Sequence, residues 1–66
     1  MPLSQREFLY LQDYQKLEDM AIQKFGAYAR QVGDPELKRQ LEDIQRMHQR
    51  HYDTITRHLG ATRTLQ

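Results

Sequence analysis

Apolar residues recur through the first half of the chain at Leu11, Tyr14, Leu17, Ala21, Phe25, Tyr28 and Val32, in steps of three or four. That is the period of a helix buried along one stripe; a strand would alternate at every second position. Ser4 followed three residues later by Glu7 makes a capping-box pattern, with Leu3 and Phe8 at the hydrophobic-staple positions. Gly33 suits the left-handed conformation that often ends a helix. The second half repeats the logic. Asp34 is an N-cap, Pro35 takes the first helical position, and Glu36 complements the helix dipole. Leu37, Leu41, Ile44, Met47, Ile55 and Leu59 then keep the three-four spacing, and Gly60 reads as a second C-cap. The pattern predicts one domain over 1–66, with a helix over 4–32, a turn at 33–34, a helix over 35–59 and a frayed tail over 60–66.

A connection this short makes the helices antiparallel neighbours. Each helix runs roughly 35–45 Å at 1.5 Å per residue. Two helices cover only part of each other's apolar stripe. The simplest remedy is a two-fold pairing of hairpins into an all-α four-helix bundle. A homodimer or higher homo-oligomer is therefore expected.

Three polar residues interrupt the stripes. On a helical wheel Glu18 lies about 40° from the centre of the first stripe. On the second helix His48 lies about 20° from the centre and His51 about 40° on the other side; His58 is nearer the edge, about 60° away. In an antiparallel hairpin turning at Gly33 and Asp34, facing residues have numbers adding to about 67. Glu18 then faces position 49, between the two histidines. Imidazole nitrogen and carboxylate oxygen together suit Zn, Fe, Mn, Ni or Cu(II). Glu18, His48 and His51 are the candidate metal ligands, near the middle of both helices. The alternative is a buried Glu-His-Tyr network that binds nothing and fixes register, with Tyr14, Tyr28 or Tyr52 as partners of Glu18.

Composition narrows the function classes. The chain has 66 residues, a net charge of +1 and a charged fraction of 29%. So balanced a charge gives no field for nucleic acid or a membrane surface. No apolar run is long enough for a transmembrane helix, and Met1 to Phe8 lack the apolar core of a signal peptide. A cytoplasmic protein, not secreted by a signal peptide, is expected. The chain has no cysteine, which excludes disulfides and thiolate metal sites. The single serine, Ser4, is a helix cap, so a serine triad is absent. Arg39, Arg46, Arg50 and Arg57 share the outer face of the second helix with Asp43 and Asp53. That mixture reads as a solvated face, with Glu42–Arg46 and Asp53–Arg57 as i,i+4 pairs.

The run FGAYARQVGDPELKRQLEDIQRMHQRHYDTITRHL, Phe25 to Leu59, resembles small ferritin-like helical proteins of spore-forming bacteria related to spore coat protein F. Asp-Pro-Glu-Leu-Lys at the second helix start carries the likeness, with His-x-x-His-Tyr near its middle and Glu18 seven residues before Phe25. The resemblance implies a ferritin-like bundle made by pairing, a structural role, a spore-associated location and other spore-coat proteins as partners. Ferritin-like metal proteins repeat a glutamate on one helix with Glu-x-x-His on the next. Glu18 matches the first and His51 the histidine, but His48 stands where the second glutamate would be. A bridging carboxylate is thereby lost, which favours a held ion such as Zn, Fe or Mn over ferroxidase-like turnover. A minimal metalloenzyme remains a further alternative, with no catalytic residue assigned.

Overall fold

The computed structural model describes residues 3–64, and within that range the side chains of residues 3–60. It is a helical hairpin of two elements, α1 (Gln5–Gln31) and α2 (Pro35–Thr64), packed side by side. Its extents are 48 × 14 × 12 Å, a rod two helices wide.

Both helix starts follow the expected caps. The Ser4 hydroxyl accepts from the Glu7 amide at 3.1 Å, and the Ser4 amide donates to Glu7 Oε1 at 2.9 Å. Two of the four amides that a helix start leaves unpaired are satisfied in this way. Asp34 caps α2 by accepting the Leu37 amide on its carboxylate at 3.1 Å and the Lys38 amide on its carbonyl at 2.9 Å.

Both helix ends differ from expectation. α1 closes at Val32, which is extended at φ −79° and ψ 144° and donates to the Tyr28 carbonyl. Gly33 has no positive φ, so the turn leaves the helix through extended backbone and not through a left-handed glycine. Gly60 is not a cap either. It also lacks a positive φ, and α2 continues through it to Thr64. A glycine costs about 1 kcal/mol relative to alanine inside a helix, which weakens but does not end it. Of the frayed tail expected over 60–66, residues 60–64 are instead the last turn of α2, and 65–66 lie outside the described residues.

The interior is thin. Among the described residues the buried apolar side chains are Ala29, Ile55 and Leu59. Gly26 is also buried, and a Cβ built there would meet Gln45 Nε2 at 2.5 Å. The missing side chain makes room for Gln45 to cross from α2 and donate to the Ile22 carbonyl at 3.0 Å. Several residues of the expected stripes remain outside the contact. Tyr14, Leu17, Tyr28, Leu37 and Met47 are exposed, as are Leu9, Tyr10 and Met20.

On the outer face of α2, Arg46 contacts Asp43 and Arg57 donates to the Thr54 hydroxyl at 3.2 Å. Asp53 accepts from Gln49 at 3.0 Å. These are local pairs at i,i+3 and i,i+4 in place of Glu42–Arg46 and Asp53–Arg57. Exposed pairs of this kind contribute little, about 0–1 kcal/mol each.

Candidate metal centre

Three cross-helix contacts define the register. Gln15 donates to the Thr56 hydroxyl at 2.9 Å, Gln45 reaches the Ile22 carbonyl, and Glu18 meets His48. Position 18 therefore faces position 48, within a residue of the level expected from the hairpin turn. All three anticipated residues meet there, half-way along both helices.

Glu18 is 6% exposed, a carboxylate set into the helix contact. Its Oε2 lies 2.9 Å from His48 Nδ1 and 3.5 Å from His51 Nδ1. One oxygen thus faces two ring nitrogens. With the proton on Nδ1, His48 donates to the carboxylate at normal hydrogen-bond length. Phe25 lies against a face of the His48 ring, stacked at a centroid separation of 5.5 Å and an interplanar angle of 17°. The His51 ring stands edge-on to His48 at 6.0 Å. His51 is the open member, with 45% of its side chain exposed against 21% for His48.

Each of the three residues offers a ligand atom within 4.8 Å of the others. An ion bound tetrahedrally at about 2.0 Å sets its ligand atoms roughly 3.3 Å apart. The two nitrogen–oxygen separations bracket that edge length. The two nitrogen–oxygen edges of the group therefore suit a small divalent ion. Three protein ligands would leave a fourth position of a tetrahedral ion for water or another ligand.

Sequence reasoning missed two supporting residues. Phe25 was legible as a stripe residue, and its place two turns beyond Glu18 on the same face could have signalled a ring against the histidines. Gln45 carried no signal, because its role depends on the space above Gly26. His58 lies apart from the group, with its Nδ1 2.8 Å from the Thr54 carbonyl on its own helix. A cleft of about 360 Å³ adjoins the site, lined by Leu17, Met20, Ala21, Lys24, Phe25 and His48.

Comparison with known proteins places the chain beside a bacterial relative. It is 35% identical over 57 residues to the uncharacterized protein YuzM of Bacillus subtilis (strain 168), covering 86% of this chain and 70% of the relative. The chain belongs to the YuzM family. No family model matches the chain, and no solved structure matches it. Among the described residues no helix is long and apolar enough to cross a membrane.

Proposed function

We propose that this member of the YuzM family is a structural helical hairpin that holds a divalent transition-metal ion through Glu18, His48 and His51. Zinc fits the three-ligand set best, with iron and manganese as alternatives. The hairpins pair as homodimers into a ferritin-like four-helix bundle, in a cytoplasmic or spore-coat-related setting. The observation that carries the metal reading is the spacing of one buried carboxylate oxygen from two imidazole nitrogens, 2.9 and 3.5 Å. The spore-coat setting draws on the sequence resemblance and on a relative from a spore-former.

A second reading is favoured by one of the same distances. At 2.9 Å the His48–Glu18 contact is a complete hydrogen bond, which satisfies the buried carboxylate without an ion. The site would then be a polar lock on register.

Elemental analysis of untagged protein purified without chelator separates the two, together with melting with and without EDTA. A metal that binds the native state at 100 times its Kd adds about 2.7 kcal/mol. For a domain this small that shifts the melting temperature by about 10 °C or more. Stoichiometric metal and a drop of that size in EDTA are expected. Metal-free protein with no response to EDTA leaves the polar lock as the function of the cluster.

A further inference from the structure

α1 carries two apolar stripes, and α2 covers one of them. The covered stripe contains Glu18, Ile22, Phe25 and Ala29, all buried or half-buried. The other runs through Tyr10, Tyr14, Leu17, Ala21, Lys24 and Tyr28, in steps of four, three, four, three and four. That is the heptad seam of a helix packed against a second helix. At about 100° per residue the two stripes lie roughly a quarter turn apart, as do the two contacts of each helix in a four-helix bundle. Four members of the second stripe are exposed large side chains, with Leu17 at 63% and Tyr10 at 61%.

The second stripe is also symmetric about position 19. Tyr10 mirrors Tyr28, Tyr14 mirrors Lys24, and Leu17 mirrors Ala21. Reversing the helix therefore superposes aromatic on aromatic and the large leucine on the small alanine. Tyr14 would lie over the Lys24 side chain, whose stem packs on a ring while its charge stays at the rim. Asp13, exposed beside the seam, reaches within a residue of the level of the mirrored Lys24, so opposite charges also meet. In an antiparallel pair of copies position i faces position j and j faces i, so all of these large-on-small and opposite-charge contacts form twice in one interface.

The geometry points to a homodimer in which α1 packs antiparallel on the α1 of a second copy, with the two-fold axis at position 19. This rests on the homodimer proposed above and adds its face and register. The axis passes within one residue of Glu18, so the partner's cluster of the same three residues arrives at the same height.

Cysteine cross-linking in EDTA tests the register without involving metal. The chain has no cysteine of its own, so introduced thiols report alone. Leu17→Cys and Ala21→Cys are made as separate chains, checked for helicity by circular dichroism, and oxidised singly and mixed. Position 17 faces the partner's position 21, whereas two copies of position 17 are offset by about 6 Å along the axis in addition to the gap between helices. Disulfides do not bridge Cα atoms more than about 7 Å apart, so covalent dimer in the mixture should exceed that of either variant alone by at least about tenfold. Equal cross-linking in all three samples overturns the register. So does an absence of covalent dimer when wild-type protein sediments as a dimer in EDTA. A wild-type chain that sediments as a folded monomer at every concentration overturns the pairing itself, whatever the elemental analysis finds.

Discussion

At the scale of single residues, Glu18 and His51 separate stability from binding. Glu18 is buried, and His48 supplies its hydrogen bond. His48→Ala leaves that carboxylate without its close partner, which costs about 1–3 kcal/mol in a urea melt. His51 is half-exposed and longer in its contact, so His51→Ala should change stability by less than about 0.5 kcal/mol. It should nevertheless abolish stoichiometric metal, read by elemental analysis with helicity preserved. Unfolding of His51→Ala instead assigns that ring a structural role. Gly26 supplies a second residue-scale test. Alanine there gains about 1 kcal/mol of helix propensity. It also displaces Gln45 and its bond to the Ile22 carbonyl, worth about 0.5–1.5 kcal/mol. Gly26→Ala alone should be close to neutral, whereas in a Gln45→Ala background it should stabilise by about 1 kcal/mol. Equal effects in both backgrounds would show that the close approach carries no energy.

At the scale of elements, the caps explain where the helices begin and one of them sets a pH response. The Ser4 amide, donating to the Glu7 carboxylate, and the Ser4 side chain hold the Glu7 pKa below its usual 4.5. A carboxyl with a folded pKa below its unfolded value adds stability that is full above the unfolded pKa. That contribution disappears as pH falls through the folded pKa. The first turn of α1 should therefore fray below about pH 4.5, seen as faster amide exchange at residues 5–8. Glu7→Gln should remove that pH dependence while Ser4 still accepts the amide of residue 7. The helix ends follow a different logic. Gly33 and Gly60 both carry the residue type of a left-handed cap, yet neither adopts it. Glycine permits that conformation without requiring it, so what surrounds each glycine decides.

For the whole molecule, the governing quantity is how little two helices can cover. Fully burying Ile55 or Leu59 contributes about 1.5–3 kcal/mol each, while ordering each residue of the backbone costs about 1–2 kcal/mol. Among the described residues, three buried apolar side chains are a small return for a 48 Å rod. The proposed second copy over the exposed seam of α1 would supply the missing burial, and the melting temperature should then rise with protein concentration. The rim charges test the same assembly. Lys24→Glu or Asp13→Lys alone sets like charges opposite one another twice per dimer. Each should weaken dimerisation about three- to tenfold at low salt, and the double exchange should restore it. Sedimentation that is indifferent to all three variants would remove these residues from the interface.

The sequence by itself determined the elements and their pairing. Period, caps and a short connection are local properties, and they led to two antiparallel helices with position 18 opposite the middle of the His48–His51 pair. The site was legible for the same reason, since three ionisable groups on apolar stripes become neighbours once the register is known. The tertiary structure decided what periodicity cannot express. It divided the broad apolar arc of α1 into one stripe against α2 and another left open, because a helix of this width touches only one side of its neighbour. It placed Phe25 flat against His48 and passed Gln45 over Gly26, since both depend on the distance between helix axes. It also carried α2 through Gly60, where propensity costs about 1 kcal/mol and only the surrounding chain settles the outcome.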